Sequence, residues 1–242
     1  MSAATASSGG KKVAIVTGGS QGIGAGVVDA FRKGGYAVVA TALSIPPVEE
    51  SDFVTVGGDI AEAETARRVV EQALERFGRI DTLINDAGVY IAKAFTDYTV
   101  EDYTSLTNVN LAGFFHITQR VIPQMVTQGS GHIVNISTSL VDAADSTRPA
   151  ALTALTKGGL VAVARSLAIE YASRGVRVNT VSLGVIQTPA HDPASYEGMA
   201  SLHPLGRLGQ VSDVVDGILY LERATFVTGE TIHIDGGQTA GH

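Results

Sequence analysis

Short continuous apolar runs alternate along this chain with stretches whose apolar residues recur at helical spacing. Residues 12–17, 36–42, 53–56, 80–84, 131–136, 176–181 and 231–234 form the first class. Runs of that length without polar alternation predict strands buried on both faces. Residues 22–33, 61–77, 100–125, 152–172 and 211–221 form the second class. In 61–77, Val69, Val70, Ala73, Leu74 and Phe77 share one face, while Glu64, Arg67, Arg68, Glu71 and Glu75 lie elsewhere. Strands that alternate with helices predict an α/β fold with a parallel sheet covered on both faces. Right-handed crossovers make it doubly wound, the Rossmann arrangement. No linker interrupts the pattern, so residues 11–242 read as one domain. Only ten residues separate Ala42 from Phe53, and they include Pro46-Pro47. That is too short for a crossover helix and predicts a loop or a single turn.

Composition narrows the function classes. The 242 residues carry a net charge of −7, which disfavours a nucleic-acid phosphate backbone as partner. Cysteine is absent, which excludes a disulfide framework, a thiolate metal site and a cysteine nucleophile. His116 and His132 fit helix and strand packing, and no histidines are spaced as metal ligands. Residues 1–10 are small and polar, without the basic start and apolar stretch of a secretory signal, and read as a disordered tail. No run approaches the roughly 20 apolar residues of a membrane span. The expectation is a cytoplasmic protein without membrane contact.

Chemistry enters at Thr17-Gly18-Gly19-Ser20-Gln21-Gly22-Ile23-Gly24, which follows the first strand and opens the first helix. Glycine is required where backbone approaches a pyrophosphate or turns through positive φ, and a helix N-terminus offers unpaired N–H groups to the anion. The spacing is TGxxxGxG rather than GxGxxG. Further segments are Asp59-Ile60, Asn85-Asp86-Ala87-Gly88, 110–114 (NLAGF), 131–136 (GHIVNI), Lys157, 177–181 (RVNTV), Thr188, 227–230 (VTGE) and Asp235-Gly236-Gly237. On these residues the chain resembles the short-chain dehydrogenase/reductase family, especially its 3-oxoacyl-carrier-protein reductase branch. The resemblance runs from Lys12 to Gly237.

The resemblance implies a nicotinamide dinucleotide on Gly18, Ser20, Gln21, Gly22, Ile23 and Gly24. Asp59 and Ile60 would meet the adenine, and the motif of Asn85, Ala87 and Gly88 would stabilise the sheet and border the ribose. Lys157 would bind that ribose, and Thr188 the carboxamide. The second strand ends in Ala40-Thr41-Ala42-Leu43-Ser44, with no carboxylate to accept from a ribose 2′-hydroxyl. Thr41 and Ser44 offer hydroxyls to a 2′-phosphate, so NADP(H) is expected, with NAD as the alternative. The family's catalytic set is Asn, Ser, Tyr and Lys. Asn110 and Lys157 match it. The serine position falls on Thr138, with Ser139 next in register. The tyrosine is missing: Thr153 stands four residues before Lys157, and Ala150 occupies the wider-spaced position of the enoyl-reductase branch. Asp86 replaces the second Asn of NNAG, and Leu183-Gly184 replaces Pro-Gly. Tyr90, after the Asn85–Gly88 motif, and His191, in the substrate loop of about 189–205, are candidate substitute acids; their plainer roles are pocket lining and a solvated loop.

Three readings follow. One is an NADP(H)-dependent oxidoreductase acting on a small carbonyl or alcohol with a changed proton donor. Another is a nucleotide-binding protein without redox turnover, as sensor or partner subunit. The third is a non-redox lyase or isomerase on the same scaffold. The resemblance also implies a homotetramer.

Overall fold

A computed structural model describes residues 10–241. Its strands are β1 (Val13–Thr17), β2 (Ala37–Ala42), β3 (Phe53–Gly57), β4 (Thr82–Asn85), β5 (Gly131–Thr138), β6 (Val176–Leu183) and β7 (Thr231–Ile234). They make one seven-stranded sheet in the order β3-β2-β1-β4-β5-β6-β7, with every pairing parallel. The helices are α1 (Gly22–Lys33), α2 (Ala63–Phe77), α3 (Val100–Thr107), α4 (Phe114–Gln128), α5 (Ala151–Tyr171), the short α6 (Tyr196–Ala200) and α7 (Val211–Arg223).

The period-two alternation of the strands divides the core. Val13 and Ile15 of β1 join Ile117, Val121 and Met125 of α4 and Val69 of α2 on one face. Ala14 and Val16 join Val27 and Phe31 of α1 and Ile218 of α7 on the other. All five residues of β1 are buried, which is why this strand carries no polar alternation. Order reverses at β1: β2 and β3 run to one side, β4 to β7 to the other. The crevice at the C-terminal ends of β1 and β4 is therefore the switch point where such sheets take ligands.

Two features depart from the expected pattern. The helix predicted over 100–125 is divided by one π-helical stretch, Asn108–Gly113, between α3 and α4. Such single turns insert an extra residue and are frequent at functional sites. And α5, continued by a 3₁₀ turn, is long and apolar enough to cross a membrane by composition, against the expectation that no run is. Here it lies on β5 and β6, with Leu160, Ala164 and Ala168 buried. Between β2 and β3 the chain forms a loop, closed by a bridge from Glu49 to Val54. Nearly all of the residues 1–10 expected as a tail lie outside the described residues.

Candidate active site

The glycine-rich turn bends sharply between β1 and α1. Gly18 and Gly22 hold φ of +75° and +56°, a region that side chains disfavour. A Cβ at Gly24 would collide with the Gly18 carbonyl, so the helix packs on the turn only as glycine. Thr17 secures the adjoining loop: its hydroxyl accepts from the Asp86 and Ala87 amides, each at 3.1 Å. At the start of α1, Gln21 makes no side-chain cap and the first turn holds no acidic residue. The Gly24 N–H meets the Asp86 carboxylate, and the N–H groups ahead of it in the first turn are left for an anion.

These residues border a groove of about 440 Å³ lined also by Thr41, Asp59, Ile60, Ala87, Gly88, Thr188 and Pro189. Every expected cofactor residue except Gly24, Ser44, Asn85 and Lys157 lines it. Gly24 and Lys157 stand directly behind: Gly24 under Gly18, and Lys157 against Gly88, where a Cβ would come within 2.6 Å of its Nζ. Asn85 ties the sheet, donating to Asn135 on β5 at 3.0 Å, and also donates to Thr118 at 3.1 Å. Thr41 lines the groove, but its hydroxyl is buried without a partner, so of the two hydroxyls only exposed Ser44 is presented to solvent. A groove with a glycine floor at a helix N-terminus fits a dinucleotide.

Lys157 of α5 is buried and donates to the Ile136 carbonyl at 2.9 Å. Burial lowers its pKa, and the carboxylate of Asp86 opposes that shift. Asp86 is the reciprocal case. Desolvation pushes it up to about 7, against the pull of Lys157 and of the Gly24 amide. The motif departure thus puts a titrating carboxyl against the glycine turn.

A second, smaller cavity of about 170 Å³ adjoins the groove, and Ile23 and Thr188 line both. Thr138, Ser139, Tyr90, Arg148 and His191 contribute to it. Of the two candidates for the serine role, Ser139 is buried and donates to Gln238 at 2.8 Å. Among the described residues Thr138 only accepts, from the Leu140 amide at 3.4 Å, so its proton is free for a substrate. His191 meets Thr188 at 3.3 Å.

Two expected catalytic residues turn out to hold a loop. Thr153 is 1% exposed; its hydroxyl donates to the Ile91 carbonyl at 3.0 Å and accepts from the Ile91 amide at 3.1 Å. It lines neither the groove nor the small cavity. The amide of Asn110, in the π-helical turn, accepts from the Val89 N–H at 2.8 Å and donates to the Val89 carbonyl and to Thr156, each at 3.0 Å. Both ends of its side-chain amide thus hold protein groups. Together they clamp residues 89 and 91 and present Tyr90, whose hydroxyl bonds to no described residue, to the small cavity. Sequence spacing could suggest Tyr90 by its place after the motif; the clamp was not legible. Thr153→Val removes the hydroxyl at constant shape and leaves the Ile91 N–H orphaned. The expected cost is about 1–3 kcal/mol, read as a melting temperature lowered by roughly 3–8 °C.

The comparisons agree with this construction. A family model described as enoyl-(acyl carrier protein) reductase matches residues 18–239. The 3-oxoacyl-[acyl-carrier-protein] reductase of Thermotoga maritima is 34% identical over 242 residues, covering 93% of this chain and 97% of its own. Among solved structures, ElxO with NADP bound superposes with a TM-score of 0.89 at 27% identity, covering 96% of this chain and all of that one. A tyrosine-to-phenylalanine variant of ElxO with NADPH bound gives 0.88 with the same identity and coverage. With a matching family model and a relative above 30% identity along nearly the whole length, the chain belongs to the short-chain dehydrogenase/reductase family.

Proposed function

We propose that the protein is an NADP(H)-dependent oxidoreductase that reduces a small carbonyl compound, or oxidises the corresponding alcohol, with Tyr90 in place of the family's tyrosine. The observation that carries this reading is the junction of the two cavities at Ile23 and Thr188. A nicotinamide at the end of the groove would supply or accept hydride at the edge of the small cavity. Thr138 donates a hydrogen bond to the substrate oxygen there and polarises it. Lys157 contributes a buried positive charge behind Gly88, where a ribose would lie. Tyr90 gives the proton to the oxygen on reduction and takes it back on oxidation. A phenol is a far stronger acid than the aliphatic hydroxyl of Thr153, and only the phenol faces the cavity.

NADP(H) is favoured over NAD(H) by the absence of a carboxylate at the end of β2 and by the NADP and NADPH bound to the ElxO structures. That one of them is a tyrosine-to-phenylalanine variant supports cofactor binding independent of that phenol. A homotetramer in the cytoplasm remains part of the reading, on family resemblance alone.

Fluorescence titration with NADPH and NADH tests the groove without a known substrate. Saturation by NADPH at least ten-fold below NADH is the expected outcome. Binding of NADH alone overturns the reading of the second strand, and binding of neither removes the redox assignment. Tight NADPH binding with no oxidation across ketones, aldehydes and oxo acids would instead favour a nucleotide-binding protein without turnover.

A further inference from the structure

The small cavity carries more information than its position beside the groove. Arg148 lines it, and no Asp or Glu does. Its side chain is half-buried, and no carboxylate lies within ion-pair distance of the guanidinium among the described residues. Most of the other arginines hold a carboxylate or a backbone carbonyl; Arg79, for example, pairs with Asp81 at 2.7 Å. An unpaired guanidinium partly withdrawn from water loses hydration and gains no charge partner, a cost that an incoming anion reverses. Its planar fork fits a carboxylate in bidentate fashion. The molecule as a whole is acidic, at −7, so its general field does not attract anions and any preference for them must be local.

We infer that the substrate is a short-chain oxo acid, with its carboxylate on Arg148 and its carbonyl oxygen at Thr138. This rests on the carbonyl-reductase reading above and deepens it. The cavity is the smaller of the two, about 170 Å³ against about 440 Å³ for the groove, which favours a short chain. On reduction the carbonyl carbon accepts hydride from the reduced nicotinamide and the carbon–oxygen π pair moves to oxygen. That oxygen takes a proton from Tyr90, and solvent reprotonates the phenolate. A hydroxy acid and oxidised NADP leave.

Two measurements on the full chain separate this inference from the redox reading. In the first, calorimetric titration with malonate, which is not reduced, is compared with dimethyl malonate, with and without NADP. Wild-type protein is expected to bind malonate and not the ester. Arg148→Gln should weaken malonate at least ten-fold, and Arg148→Lys, which keeps charge but loses the fork, by less. In the second, NADPH oxidation is followed with three- to six-carbon oxo acids and their methyl esters. Wild type should prefer acids at least ten-fold in kcat/KM, and Arg148→Gln should lose that preference through KM, with esters unaffected. Malonate binding that depends on Arg148, without reduction of any compound, keeps the carboxylate site and sinks the redox assignment. Absence of malonate binding, malonate binding unaffected by Arg148→Gln, or equal turnover of acids and esters overturns the inference.

Discussion

Tyr90→Phe should lower carbonyl turnover by about 10²–10⁴ while NADPH affinity stays within about two-fold of wild type. The magnitude is what a positioned acid typically contributes, and its selectivity follows from the geometry. Tyr90 lines the small cavity but not the cofactor groove, and its hydroxyl bonds to no described residue, so its removal orphans nothing. Its backbone is fixed from both sides by Asn110 on Val89 and Thr153 on Ile91. Single-turnover mixing with NADPH reads the chemical step directly. An unchanged rate in Tyr90→Phe would exclude the phenol as donor, and a loss with His191→Ala instead would move the role to the histidine. Equal loss of cofactor affinity would mean that the hydroxyl serves cofactor binding rather than proton transfer.

The second large effect is expected at Asp86→Asn. In the folded chain Asp86 is pushed up to about 7 from the usual 3.8. Between those values the folded state holds the proton more tightly than the unfolded state. Its contribution to stability is therefore complete below about pH 4 and is lost as pH rises toward 7. A shift of roughly three units corresponds to about 4 kcal/mol. The side chain borders an open groove, so about half of that is expected after solvent screening. Asparagine keeps the shape without the charge. At pH 8 the variant should melt roughly 4–8 °C above wild type, with the difference vanishing near pH 4. The same ionised carboxylate repels a pyrophosphate on the glycine turn. Wild-type NADPH affinity should thus weaken above pH 7, and Asp86→Asn should flatten that dependence and bind about ten-fold tighter at pH 8. Parallel pH profiles in the two proteins would show that Asp86 does not face the phosphates.

The fold was legible because burial on both faces leaves no polar alternation in the central strands β1, β2 and β4. Residues 231–234 were bounded correctly from the apolar run alone, and the absence of a crossover helix after β2 followed from chain length. Where the sequence misled, a residue had two available uses. Thr153 and Asn110 sit at catalytic positions, yet hydrogen bonds across 62 and 21 residues of separation decide that their side chains hold backbone. Thr138 and Ser139 are neighbours whose roles part only through Gln238, 99 residues on from Ser139. Arg148 gave no signal, because a lone arginine in a polar loop reads as solvated until the loop folds over a cavity.

The π-helical stretch at Asn108–Gly113 has a consequence for how this helix tolerates change. Each residue advances an α-helix by about 100°. The extra residue lets Asn110 face the loop it holds while Ile117, Val121 and Met125 keep their seats on the sheet. Deleting one residue there would restore an unbroken α-helix and propensity would improve. The rotation would then fall on one side of the deletion: either the clamp on Val89 opens, or the downstream apolar stripe turns out toward solvent. The local irregularity works as a phase adjuster between two surfaces with incompatible angular demands, so a shortened, more regular helix should make a worse protein.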